Sequence, residues 1–182
     1  MPRPARICFP GALYHVTARG NDRVDVVRDN TDRRALVDLL AEVISRLGWR
    51  CHAYCLMDNH YHLVIETPEA NLSAGMQRLN GIYAQRFNQR HGRSGHLFQG
   101  RFHTALLDRE SHLLETCRYV VLNPVRAGAC AEPIAWRWSS YRATAGFSPR
   151  PSFLTLSWIH SLFGRDTSRA IRAYRAFVDD AS

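Results

Sequence analysis

The stretch "WRCHAYCLMDNHYHLVIET", residues 49–67, decides how this chain folds. Both of its halves are rich in aromatic and β-branched residues, and Asp58 and Asn59 between them tolerate the backbone geometry of a tight turn. The reading is a β-hairpin. Side chains of a strand alternate between faces, so His60 and His62 point one way and Tyr61 the other. That is how a strand aims two ligands at one metal ion. Imidazoles are also satisfied by water or hydrogen bonds on a polar sheet face, so the rest of the chain has to decide between the two.

Upstream, "ALYHVTARG" (residues 12–20) reads as a first strand ending at a glycine. From Asn30, "NTDRRALVDLLAEVISRLG" opens on a cluster of capping residues, carries Leu36, Leu39, Leu40, Val43 and Leu47 at helical spacing, and stops at Gly48. Downstream, Asn71 is expected to cap a second helix with Leu72, Met76, Leu79, Tyr83 and Phe87 on one stripe, closed by Gly92. "HLFQGRFHTALL" (residues 96–107) is expected to be a fourth strand. The order βαββαβ predicts an α+β, ferredoxin-like (RRM-like) fold, an antiparallel sheet with both helices on one face. Its usual strand order makes the first and third strands central, so His60 and His62 should sit mid-sheet. A third helix (residues 111–123), a turn at "NPVRAG", the Trp-rich "WRWSSY" and two short helices separated by Gly164 follow. The expected organisation is a main domain over residues 1–145 and a C-terminal helical extension over residues 146–182, packed on or beside it.

With 182 residues, 46% of them hydrophobic, the chain is long enough for a domain with a proper core. The formal charge is +8, and all 24 basic residues are Arg, which excludes chemistry that needs a lysine. Arginine grips phosphate with two parallel hydrogen bonds, so a nucleic-acid partner is the first reading of the excess. A bias toward Arg codons would explain the missing Lys but not the net charge. The five cysteines are an odd number without a Cys-x-x-Cys pair, which argues against a disulfide framework or a zinc ribbon. A zinc set of Cys51, Cys55, His60 and His62 can be drawn, yet its spacing is unlike structural zinc sites, and Cys51 and Cys55 are expected to fill the core. The opening "MPRPARICFPGA" has no apolar stretch of signal-peptide type, and no later run approaches the ~18 apolar residues of a membrane span. A cytoplasmic protein with no membrane association is expected.

In the third helix, at roughly 100° per residue, Leu113, Leu114, Cys117, Val120 and Val121 form one apolar stripe, whereas Tyr119 and Asn123 fall on the opposite side. Residues four apart stack, so the Tyr119 hydroxyl and the Asn123 amide should face the same space. Pro124 disfavours helical geometry at Asn123 and makes its aim less fixed.

"YHVTARGN", "AYCLMDNHYHLVIETP", "LNGIYAQRFNQRHGRSGHLFQGR" and "CRYVVLNPVRAG" closely resemble the REP-associated tyrosine transposases, a group within the single-tyrosine HUH transposases. The likeness runs from about Leu13 to Tyr141. It implies that Tyr119 is the nucleophile and that His60, His62 and Asn123 hold a divalent ion. Imidazoles alone suggest zinc, nickel or copper, while the resemblance favours magnesium or manganese. It further implies a single-stranded hairpin DNA substrate, a 5′-phosphotyrosine intermediate, no nucleotide cofactor, and a monomer whose Tyr119 serves its own histidine pair. DNA contacts are expected from Arg19, Asn21 and Arg23 after the first strand, Arg101 in the fourth, Arg118 beside the nucleophile, and Arg126 in the turn after the helix. Tyr83 is a rival nucleophile, but its place on the apolar stripe predicts that it packs. Two other readings stay open: a module that binds hairpin DNA or RNA without cutting, and a metal-dependent hydrolase of a small phosphoester. The net charge of +8 weighs against the hydrolase.

Overall fold

The computed structural model describes residues 8–107 and 111–180. Strands β1 (Ala12–Arg19), β2 (Arg50–Leu56), β3 (His60–Thr67) and β4 (His103–Leu107) form an antiparallel sheet in the order β2-β3-β1-β4. Helix α1 (Asn30–Leu47) joins β1 to β2, and α2 (Leu72–Arg90) joins β3 to β4. This is the expected βαββαβ arrangement, with β1 and β3 in the middle. Helix α1 starts where the Asp29 carboxylate accepts hydrogen bonds from the amides of Thr31 and Asp32, and it ends at Gly48, whose φ of 66° is left-handed.

Alternation along the strands makes two cores. Tyr14, Val16 and Ala18 of β1 and Tyr61, Leu63 and Ile65 of β3 meet Leu36, Leu39, Leu40 and Val43 of α1 and the apolar stripe of α2. Leu13, Ala53, Cys55 and Val64 point to the opposite face, where α3 (Ser111–Arg126) lays Leu113, Cys117, Val120 and Val121 over them. The short α4 (Tyr141–Thr144) and α5 (Ser157–Ser161), with α6 (Thr167–Asp179), close this second core through Tyr141, Ile159, Tyr174 and Val178. Among the described residues no helix is long and apolar enough to cross a membrane.

The structure departs from the sequence reading at several points, each with a local cause. Strand β4 begins only at His103, because Gly100 takes a positive φ of 64° and breaks the extended run. The preceding segment still follows the end of β1: the amide of Asn21 donates to the Leu97 carbonyl, and that of Gln99 to the Arg19 carbonyl, both at 2.8 Å. Arg101 therefore lies in a bend before the strand. Helix α3 continues through Pro124, whose fixed φ is helical, although its ring forgoes the hydrogen bond to the carbonyl four residues back. Arg126 is thus in the last turn of α3, not in the turn beyond it. The Asn71 side chain does not cap α2; its Oδ1 accepts from the Trp49 indole at 2.5 Å. Finally, a β-bulge between Cys51 and Ala53 shifts the register, so Cys51 enters the first core and Cys55 the second. They face opposite sides of the sheet, and burial pushes both thiols up, which rules out the zinc set. Tyr83 is buried and donates its hydroxyl to the Val26 carbonyl at 2.6 Å.

Two glycines of α2 give opposite expectations. A Cβ on Gly75 would lie 2.2 Å from Cζ2 of Trp49, whereas one on Gly81 meets nothing within 4 Å. Gly75→Ala should cost roughly 1–3 kcal/mol of stability by overpacking, although alanine is the better helix former. Gly81→Ala should stabilise by up to about 1 kcal/mol. Urea unfolding of the two variants checks both signs; a stabilised Gly75→Ala protein would mean that Trp49 is not seated against α2.

Candidate active site

The β1–β3 register sets Thr17 opposite His62 and Arg19 opposite His60. His15, Thr17 and Arg19 therefore share a sheet face with both histidines. The His60 and His62 rings lie 4.9 Å apart, nearly perpendicular. His15 stacks on His62 at 5.2 Å and 17°, with its Nε2 2.9 Å from Nδ1 of His62. The buried apolar stripe of α3 fixes the rotation of that helix and leaves Tyr119 on its rim. The Tyr119 ring stands edge-on to His62 at 5.8 Å and to His15 at 5.9 Å, and the residue remains 40% exposed. One turn later, Nδ2 of Asn123 donates to the Tyr119 carbonyl at 2.9 Å, so the amide oxygen is the atom Asn123 has left to offer.

Burial holds the His62 imidazolium down to a pKa of about 3; His60, His15 and Arg19 act in the same direction, and the Asn123 amide opposes them. Burial also lowers His60, with help from Arg19, and lowers His15. All three rings are neutral near pH 7, the form that binds metals. Nδ1 of His60 lies 2.6 Å from Oδ1 of Asn59, and a hydrogen bond there leaves Nε2 as a lone pair. Nε2 of His62 is buried with no hydrogen-bond partner, an unsatisfied polar atom of the kind that points to a missing ligand. Two imidazole nitrogens and an amide oxygen on one face fit a divalent cation. Among the described residues, no group of three or more His, Cys, Asp or Glu is placed to hold one, so the set depends on Asn123.

The arginines divide into groups. Arg126, exposed, sets its guanidinium 5.2 Å from the centre of the Tyr119 ring. Arg19 is exposed beside His60. Asn21 and Arg23 lie in an exposed 3-10 turn at the end of β1, where Asn21 donates to the Asp22 carboxylate at 3.1 Å. Arg101 lines a cavity of about 540 Å³ between α2 and residues 95–102. That cavity lies on the other side of the sheet, and the Tyr61 hydroxyl, donating to Asn80, links it to the histidine strand. Arg118 has a different job from the phosphate contact expected of it. It donates to Glu115 at 2.5 Å and to the Phe177 carbonyl at 3.1 Å, and it stacks on the Phe177 ring at 4.2 Å, pinning α6 to α3.

The sequence reading thus assembled His60, His62, Tyr119, Asn123, Arg19 and Arg126 in one place. It missed His15, which lies inside a quoted motif. The signal was present: His15 is four residues from Arg19 on a strand, hence on the same face, and β1 is the neighbour of β3 in this fold.

A family model described as transposase IS200 like matches residues 8–123. No curated protein matches the chain. Among solved structures, the fold is similar to that of a REP-associated tyrosine transposase bound to a REP hairpin. The TM-score is 0.68 at 18% identity, covering 85% of this chain and 92% of that one. A putative transposase from Deinococcus radiodurans R1 is similar at a TM-score of 0.46 and 19% identity, covering 59% of this chain and 88% of that one. The family match takes in all four strands and α3 as far as Asn123, and the chain belongs to the IS200-like transposase family.

Proposed function

We propose that this transposase is a metal-dependent single-strand DNA endonuclease and strand transferase that binds hairpin DNA of the REP type and cuts it through Tyr119. One observation carries the reading: Tyr119 stands edge-on to His62, whose Nε2 is buried without a partner and whose ring lies beside His60, and Asn123 bonds to the Tyr119 backbone one turn on. A neutral phenol, with a pKa near ~10, is a weak nucleophile and needs help to attack phosphorus. His60, His62 and Asn123 would hold a magnesium or manganese ion, which when bound would supply Lewis-acid polarisation of the scissile phosphate.

The chain's own residues do the rest. The Tyr119 oxygen loses its proton and bonds to phosphorus; the bond to the 3′-oxygen breaks, and that oxygen leaves as a hydroxyl after taking up a proton. The product is a 5′-phosphotyrosine ester. One phosphodiester-type bond replaces another, so no nucleotide is consumed, and attack by a free 3′-hydroxyl on the ester rejoins strands. Arg126 over the Tyr119 ring places positive charge beside the phenol and the incoming phosphate. Arg19 does the same on the His60 side, with Asn21 and Arg23 in the exposed turn that follows β1, whereas Arg101 lines the cavity on the other side of the sheet. The partial exposure of Tyr119 lets a strand approach it. Because Tyr119 faces histidines of its own chain, a monomer holds the complete set, and a cytoplasmic monomer is the proposed working form. The solved REP-associated relative carries a hairpin, which supports the choice of DNA class.

Incubation with single-stranded hairpin DNA and manganese, followed by mass spectrometry, should find a nucleotide adduct on the Tyr119 peptide. Tyr119→Phe should keep hairpin binding and lose cleavage; a Phe variant that still cuts would make water the nucleophile, and wild-type binding without any cleavage would make the protein a binding module. His60→Ala and His62→Ala should abolish cleavage, while Asn123→Ala weakens it less, because water can replace a neutral amide ligand. Normal turnover by His60→Ala without added metal would sink the metal assignment. Hairpin affinity should fall linearly with salt on a log-log plot, by about 0.7 in slope for each phosphate neutralised. Arg126→Ala and Arg19→Ala should each remove about that much slope, whereas Arg118→Ala should lower thermal stability and leave the slope alone.

A further inference from the structure

We propose that His15 is a positioning residue for the metal site: its Nε2 accepts the Nδ1–H of His62 and so fixes the tautomer in which Nε2 of His62 is a lone pair. The inference rests on the metal-dependent reading above and names a residue which that reading does not use.

The argument starts from the one hydrogen bond between the two rings. Nε2 of His15 and Nδ1 of His62 are 2.9 Å apart, a hydrogen-bond distance, so one proton lies between two nitrogens. Only two arrangements exist. If His15 donates, His62 accepts on Nδ1 and must carry its own proton on Nε2. Its Nε2, which makes no hydrogen bond in the structure, would then hold a proton and could not ligate. If His62 donates, its proton sits on Nδ1, and Nε2 turns a bare lone pair into the space beside Asn123 and Tyr119. The second arrangement is the one in which the unsatisfied atom has a use.

The same logic holds for His60, whose Nδ1 lies 2.6 Å from Oδ1 of Asn59. Each histidine of the pair has a partner on its δ side, one in the hairpin turn and one on the neighbouring strand. A ligating histidine ordinarily donates its other N–H to a carboxylate, carbonyl or water. Here the acceptor on His62 is an imidazole, which orients the ring without adding charge. The geometry also separates His15 from a ligand. Its Nε2 is engaged by His62, and among the described residues no three such side chains are placed around one point. The stacked ring further fills the space under Tyr119, 5.9 Å from its ring, so His15 helps to hold the nucleophile's approach.

The direct test is the tautomer of His62 in the full chain without metal or DNA, read from long-range ¹H–¹⁵N correlations of its ring. His62 should be the Nδ1–H tautomer in the wild type, and His15→Leu should shift it toward Nε2–H. Manganese binding, followed by electron paramagnetic resonance, should weaken about 10- to 100-fold in His15→Leu. His15→Gln, which sets an amide oxygen near the place of Nε2, should recover most of that loss. A wild-type His62 found as Nε2–H overturns the proposal even if His15→Leu does not fold. Unchanged manganese affinity in a folded His15→Leu protein overturns it too. So does a His15→Gln protein as weak as His62→Ala, which would make His15 a ligand. These readouts need no cleavage: a Tyr119→Phe protein that still cut DNA would defeat the proposed mechanism and leave the tautomer result standing.

Discussion

The register between β1 and β3 is the constraint on which the site depends. With Thr17 opposite His62, the strand pair brings Arg19 beside His60 and His15 against His62, and it buries Tyr61 on the other face with the α2 contacts. A slip of one residue would invert every one of these positions. The slip is opposed by the whole sheet, because Tyr14, Val16, Tyr61, Leu63 and Ile65 would leave their core together. Burial of the large side chains therefore aims the small number of polar ones. The unfavourable part of the arrangement, neutral imidazoles held out of water with an unpaired nitrogen, is carried by that apolar packing.

Helix α3 is the second element that the chemistry needs, and it is tied down from behind. Leu113, Cys117, Val120 and Val121 set its rotation, Arg118 binds it to α6, and the Asn123 amide bonds back onto the Tyr119 carbonyl. Tyr119 itself is among the few large side chains of this helix left in solvent. In the proposed reaction Tyr119 must meet a strand of DNA and later release it, so it cannot be enclosed, and rigidity has to come from the helix beneath it. Continuing the helix through Pro124 serves the same end: it carries Arg126 two turns past Tyr119 and back over the ring. Had the helix stopped at Asn123, that guanidinium would have lain in a turn with no fixed place.

Periodicity made the sheet order, α1, α2 and the shared face of His60 and His62 legible from the sequence, because burial alternates with a period of two in strands and near 3.6 in helices. Tyr119 was legible as a tyrosine off the apolar stripe. What stayed hidden depended on contacts between segments or on single backbone angles. His15 acquires a role only through its neighbour on β3, Arg118 acquires one only through Phe177, and the bulge at Cys51 and Ala53 changes which face each cysteine meets. Gly100 delayed the predicted fourth strand to His103 through a positive φ that composition alone does not announce.

In the proposed reaction, the ligands His60, His62 and Asn123 bring no negative charge, and the acidic groups nearby are already paired. Asp58 in the hairpin turn is bound by Arg33, and Glu66, further along the same face of β3, is bound by Arg50 and His52. Arg19 and Arg126 add positive charge at the edges of the site. A divalent ion held there would have its charge offset by the scissile phosphate and by little else, so ion and DNA would assist each other's binding. This also gives a physical reason why the acceptor proposed behind His62 is a neutral one. A carboxylate at position 15 would orient the ring equally well, but it would set a full negative charge under the place where the phosphate has to come.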